Sequence, residues 1–263
     1  MADDIRLDVA DGIATITLNR PDKRNAFDLA MVDRWADAVN ACAADDAVRV
    51  IVITGEGKAF CSGGDIADLM GARRELGPED RKAELTGHVH QLVRAFQTND
   101  KPVIAAMNGV ATGAGLDLAL YADLRYAAAS ARFAETYVRV GLIPGAGGAW
   151  MLPRIVGTAK ALELFWTSDF INAAEAEQLG IVNAVFDDEV LMDEVMKVAR
   201  KIAAGPQSAN RAIKRAVRHG QSSDLATALD HISSTYGLIA TGPDHHEAVD
   251  AFLEKREPVF GKN

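Results

Sequence analysis

Phe60-Cys61-Ser62-Gly63-Gly64-Asp65-Ile66 and Asn108-Gly109-Val110-Ala111-Thr112-Gly113-Ala114-Gly115-Leu116-Asp117 share one layout. Each follows an apolar β-type run, Val48 to Thr54 before the first and Val103 to Met107 before the second. Each then opens into an apolar run of helical character. Glycine lets a backbone approach a ligand closely, and the first amides of a helix have no partner inside it. Two such loops meeting at one point would aim a pair of N–H donors at a single oxygen. That arrangement stabilises an enolate or a tetrahedral oxyanion. The order strand, glycine loop, helix recurs roughly fifty residues apart, as a repeated unit stacked on itself would.

Working outward, Ile5, Leu7 and Val9 alternate, Asp11-Gly12 turns, and Ile13, Ile16 and Leu18 follow, a β-hairpin signal. Asn19-Arg20-Pro21-Asp22-Lys23-Arg24-Asn25 is a polar, basic loop. Leu29, Val32, Trp35, Val39 and Cys42 then fall at helical spacing. Arg49 to Thr54 is nearly all apolar, as expected of a strand covered on both faces. Residues 71–84 are charged and read as a mobile surface loop beside the first glycine loop. Val89, Leu92, Val93 and Phe96 mark another helix, which Lys101-Pro102 ends. Leu124 to Ala128 reads as a further strand, and Gly145-Ala146-Gly147-Gly148 as a third flexible loop. Beyond Asp187 the pattern is wholly helical, over roughly 188–204, 207–219, 224–240 and 244–256. The chain therefore divides into an α/β core, 1–187, and a helical region, 188–263. That region either packs on a neighbouring subunit or completes its own core.

With 263 residues, 49% hydrophobic and 25% charged, the chain has the makings of an ordinary globular protein with ample core. Its formal net charge of −9 argues against nucleic acid, which needs a basic footprint. Cys42 and Cys61 form no Cys-x-x-Cys pair and read as reduced thiols in a cytoplasmic protein. The acidic start, Met1-Ala2-Asp3-Asp4, reads as no signal peptide. The most apolar stretch, 103–122, is interrupted by Asn108, Thr112 and Asp117 and reads as no membrane span. His88-x-His90 and His245-His246-Glu247 lack partners at metal spacing, so no metal site is expected.

Taken together, these motifs resemble the enoyl-CoA hydratase/isomerase superfamily, also called crotonase-like. The resemblance runs from Asn19-Arg20-Pro21 through the two glycine loops and Ile143-Pro144-Gly145-Ala146-Gly147-Gly148. It continues through Ile171-x-Ala-x-Glu-Ala-x-x-x-Gly180-Ile181-Val182-Asn183 to the C-terminal helices. It implies an α/β fold, a spiral of repeated ββα units with a C-terminal all-helical trimerisation region, assembled as a homotrimer or a hexamer of two trimers. It also implies an acyl-CoA thioester substrate, with coenzyme A entering as part of the substrate and no separate cofactor. By family position the oxyanion-hole amides are those of Gly64 and Ala114. Arg20, Lys23 and Arg24 lie where the family places CoA contacts, with Ser62, Asp65 and Ile66 on the neighbouring loop. Lys255 matches a family lysine that reaches the CoA of an adjacent subunit. Asp65 is also suited to cap the helix that begins near Ile66.

The catalytic pattern departs from the family's. Hydratases of this type use two glutamates at one substrate, and the corresponding positions here hold Asp117 and Tyr137. Asp117 lies among Leu116, Leu118 and Leu120, so it is expected to be partly buried with a raised pKa; capping a helix or pairing with an arginine is the alternative. A phenol is a poor base near neutral pH, but it donates a hydrogen bond or acts as an acid. Glu135, two residues before Tyr137, is a spare carboxylate. Hydration of a 2-enoyl-CoA is the leading expectation. Double-bond isomerisation, decarboxylation of a malonyl-type thioester, and acyl-CoA binding without turnover are the alternatives.

Overall fold

The computed structural model describes residues 4–261. The acidic start expected to carry no targeting signal lies largely outside them. The hairpin forms as read, with β1 (Ile5–Ala10) antiparallel to β2 (Ile13–Leu18). Asp11 and Gly12 both adopt positive φ, 52° and 77°, which matches the right-handed twist of the flanking strands. α1 (Leu29–Ala44) starts where the Asp28 side chain accepts from the Met31 amide at 2.8 Å, and it buries Met31, Val32, Trp35, Val39 and Cys42.

Three strand pairs then repeat: β3 (Val50–Gly55) with β4 (Ala59–Cys61), β5 (Val103–Met107) with β6 (Val110–Thr112), and β7 (Leu124–Ala128) with β8 (Arg132–Ala134). The first strand of each pair joins a six-stranded sheet, ordered β1-β2-β3-β5-β7-β10, where β10 is Ala184–Phe186. The second joins a four-stranded sheet, β4-β6-β8-β9, where β9 is Ile171–Asn172. Neighbouring strands from β2 to β10 are parallel, and all residues of β3 and β5 are buried, as their unbroken apolar runs require. This is the ββα spiral of the sequence reading, and its stacking brings the two glycine loops side by side.

Only part of 71–84 forms the surface loop expected of it: 72–77 turn and are mostly exposed, whereas 78–84 are helical. α2 (Pro78–Glu84) lies between π-helical turns at Ala67–Gly71 and Leu85–Val89 and leads into α3 (His90–Thr98). The charges that suggested a loop instead tie the helices together. Arg81 donates to the carbonyls of Leu69, at 2.5 Å, and Arg73, while the Arg73 guanidinium pairs with Glu84 at 2.6 Å. Periodicity cannot register such contacts because they are polar.

The second glycine loop opens into α4 (Ala114–Ala119), and α5 (Gly148–Val156), α6 (Thr158–Thr167) and α7 (Ala173–Gln178) follow. Of the last four helices, α8 (Leu191–Ala203) buries Leu191, Val195, Ala199 and Ala203 against the large sheet and so belongs to the core. α9 (Gln207–Gly220) is held by Lys214, whose ammonium donates to the Lys101 carbonyl and to Asp123, both at 2.6 Å. Lys101 is itself fully buried and donates to the Cys42 and Asp45 carbonyls at the end of α1, where a cation is favoured. α10 (Leu225–Ala240) and α11 (Pro243–Glu254) expose Leu225, Leu229, Tyr236, Leu238, Phe252 and Leu253 on the single chain. The trimerisation expected of this region concerns contacts between chains. No helix among the described residues is long and apolar enough to cross a membrane.

Candidate active site

A cavity of about 890 Å³ opens between the two glycine loops and the helical segment 66–89. Gly63, Gly64, Thr112, Gly113 and Ala114 form one wall. Gly63 and Gly113, which precede the two amides of interest, have φ of 92° and 50°. A side chain is strained there, and it would also collide: a Cβ on Gly63 would lie 2.9 Å from the Thr112 carbonyl oxygen and 3.4 Å from the Ala114 nitrogen. The Thr112 hydroxyl donates to the Ser62 carbonyl at 3.0 Å, locking the loops together. Among the described residues, neither the Gly64 nor the Ala114 N–H donates to a backbone carbonyl. The two amides thus lie on adjoining loops of one cavity wall with donor capacity to spare.

Asp117 follows in α4, with no exposed surface. It is not part of the cavity lining. Tyr137, from the turn after β8, stands in front of it and donates its hydroxyl to Asp117 Oδ2 at 2.5 Å. The third glycine loop lines the cavity with Gly145 and Ala146 and packs Gly147 and Gly148 around the buried side chains. A Cβ on Gly148 would come within 1.6 Å of Asp117 Oδ1, and one on Gly147 within 2.0 Å of the Tyr121 hydroxyl. Only bare backbone fits there. Burial pushes the Asp117 carboxyl up from 3.8 to about 6, against the opposing pull of the Tyr137 hydroxyl and the Gly148 and Ala146 amides. Burial also drives the Tyr137 phenol well above 10, assisted by the neighbouring Asp117 charge. Sequence reading placed Asp117 beside the substrate. The structure interposes Tyr137, which lines the cavity, and Asp117 lies behind it.

Glu135 does not reach the cavity either. The pairing of β6 with β8 sets Thr112 opposite Ala134, so the next residue is carried to the side of Asp117. Glu135 is 1% exposed and absent from the lining. The Cys61 thiol, pushed up to about 12 by burial, is no candidate nucleophile.

The residues expected to hold coenzyme A separate into two groups. Ser62, Lys23, Asp65 and Ile66 line the cavity. Arg20 does not: its guanidinium donates to the Ala26 carbonyl at 2.7 Å and pairs with Asp65 at 3.3 Å, bracing the loop. Asp65 also binds Lys23 at 2.8 Å, and that hydrogen bond holds its carboxyl below the ordinary range. Its second oxygen is turned to the Asp68 amide at 3.4 Å, the capping role also expected of it. Arg24 is exposed and outside the lining, as is Lys255, which ends α11 in a left-handed conformation. Met70 also lines the cavity, whereas Trp150 and Phe165 do not.

Sequence reading missed Glu84 and Arg139, which also line the cavity. Both are committed elsewhere, Glu84 to Arg73 and Arg139 to Ser168, whose hydroxyl accepts from its Nε at 2.7 Å. Among the described residues no group of three or more His, Cys, Asp or Glu could hold a metal ion.

Comparison with known proteins agrees with this architecture. Residues 8–263 match the family model described as enoyl-CoA hydratase/isomerase. The chain belongs to the enoyl-CoA hydratase/isomerase family. It is 38% identical to a 1,2-epoxyphenylacetyl-CoA isomerase from Escherichia coli, with 96% of each chain covered. It is also 38% identical to a crotonyl-CoA hydratase from Syntrophomonas wolfei, with 98% of each covered. A solved structure from Streptomyces coelicolor, described as a putative enoyl-CoA hydratase, superposes with a TM-score of 0.94 at 38% identity, covering 99% of this chain and 94% of that one. These relatives are named for isomerisation and for hydration of CoA thioesters.

Proposed function

We propose that this enzyme isomerises the double bond of an enoyl-CoA whose acyl chain carries no charge, moving one proton through Tyr137 and Asp117. The thioester oxygen accepts from the Gly64 and Ala114 amides, which lowers the energy of the dienolate formed when a C2 proton leaves a 3-enoyl-CoA. The Tyr137 oxygen takes that proton as its own passes to Asp117, and the return transfer delivers a proton to C4. One C–H bond breaks and one forms. The observation that carries this reading is the 2.5 Å bond between Tyr137 and a buried carboxylate, with Tyr137 lining the cavity and Asp117 set back from it. Hydration stood first on sequence grounds, but it needs a second group to activate water at C3. The other acids on the wall, Asp65 and Glu84, are held in ion pairs with Lys23 and Arg73.

The acyl arm faces Phe27, Leu29, Leu69, Leu85, Val89 and Leu142. The cations on the wall are committed: Lys23 to Asp65, Arg81 to Leu69 and Arg73 carbonyls, Arg139 to Ser168. A terminal carboxylate on the substrate would be desolvated without a partner. Incubation of straight-chain 3-enoyl-CoA thioesters in deuterated water tests both points. The expected product is 2-enoyl-CoA with deuterium at C4, and a substrate with a terminal carboxylate should show kcat/KM at least about tenfold lower. Net formation of 3-hydroxyacyl-CoA as the main product would sink the reading.

A further inference from the structure

Three carboxyl oxygens at the back of the site have no hydrogen-bond partner among the described residues: Asp117 Oδ1, Glu135 Oε1 and Glu135 Oε2. Both side chains are sealed from solvent, and they sit against each other. Two buried carboxylates in contact, neither with a donor for its free oxygens, cannot both be ionised at tolerable cost. A single proton resolves the conflict, because a carboxylic acid supplies the missing donor and removes the like charge. The surroundings decide where it rests. Asp117 has the Tyr137 hydroxyl bonded to its other oxygen, Oδ2, and the Gly148 and Ala146 amides nearby, all of which favour its anion. Glu135 has no donor, and the one charge acting on it is that of Asp117. The titratable groups around the pair are Tyr137 in front and Tyr121, which faces Asp117 from the end of α4.

We propose that Glu135 is a positioning residue: a buried carboxylic acid that offers its O–H to Asp117 Oδ1 and so keeps that carboxylate ionised and aimed at the Tyr137 hydroxyl. It touches neither the cavity nor the substrate. Its effect is to let a desolvated aspartate act as a base near neutral pH, where burial alone would leave it protonated. The inference rests on the Tyr137–Asp117 reading for its catalytic consequence, though not for the state of Glu135 itself.

Two measurements separate those layers. Infrared difference spectra between the wild type and Glu135→Gln at pH 7 should contain a protonated-carboxyl C=O band, and Asp117→Asn should retain it. A spectrum with no such band means an ionised Glu135 and overturns the proposal whatever the activity. In the pH profile of turnover, Glu135→Gln keeps a donor and should hold the acidic limb near that of the wild type. Glu135→Leu removes the donor and should move the limb upward by about one pH unit or more. An unmoved limb in Glu135→Leu, or an equal shift in Glu135→Gln, overturns the positioning role. If Glu135→Leu does not fold, the glutamine variant and the infrared band still decide. Loss of activity in neither Asp117→Asn nor Tyr137→Phe would instead discard the proton-transfer reading, leaving the infrared result to stand by itself.

Discussion

Asp117→Asn is expected to lower turnover by roughly 10²- to 10⁴-fold, the contribution typical of a positioned general base, while leaving the fold at least as stable. The two effects share one cause. The carboxyl is raised from 3.8 to about 6 in the folded protein, chiefly by burial. Between those values the folded chain holds a proton that the unfolded chain has released. Stability from this group is therefore greatest below about 3.8 and is lost as pH rises through about 6. Catalysis needs the ionised form, so activity rises across the interval in which stability falls. Asparagine keeps an oxygen to accept from Tyr137 but carries no charge. Its thermal midpoint near pH 7.5 should equal or exceed that of the wild type, by up to about 5 °C, and its stability should depend less on pH below 6. Tyr137→Phe should lose comparable turnover, because it cuts the connection between Asp117 and the cavity. Turnover of Asp117→Asn within threefold of wild type would remove the carboxylate from the mechanism.

Gly115→Ala is the second large effect. A Cβ there would lie 2.2 Å from the Cys61 carbonyl oxygen and 2.8 Å from its carbon. Both are backbone atoms of the first glycine loop, and neither can rotate away. The methyl must push the loops apart, separating the amides of Gly64 and Ala114. Loss of one donor from an oxyanion site costs roughly 10²- to 10³-fold in kcat, and overpacking of this kind destabilises by about 1–3 kcal/mol. Gly87→Ala serves as the control, since nothing lies within 4 Å of its Cβ position. Turnover should fall in the first variant and hold in the second. Equal behaviour of the two would mean that loop contact is not what positions the amides.

The parts of the site legible in the sequence are those that backbone conformation dictates. Gly63 and Gly113 are glycines because the chain turns through positive φ where a side chain would strike the Thr112 carbonyl in the first case and the Thr136 hydroxyl in the second, and the conformational part of that constraint is written locally. The burial of Asp117 was likewise legible from its leucine neighbours. The order of groups from cavity to core was not. Tyr137 comes to stand before Asp117, and Glu135 beside it, only when β6 pairs with β8, a relation between distant segments. The basic loop misled for a similar reason. Arg20 looks free for an anionic ligand until Asp65, remote in sequence, is folded against it. Residues 78–84 were read as loop because their contacts are polar and their apolar positions few, although hydrogen bonds from Arg81 and to Glu84 from Arg73 fasten them.

The joint polarisation of a substrate carbonyl by two loop amides can be read spectroscopically. A saturated acyl-CoA labelled with ¹³C at the thioester carbon, bound to the wild-type enzyme, should show its C=O stretch moved to lower frequency than in water. The shift should shrink in Gly115→Ala and persist in Tyr137→Phe. A band at the solution frequency under saturating protein would show that Gly64 and Ala114 do not grip the thioester, and the account would fail at its base.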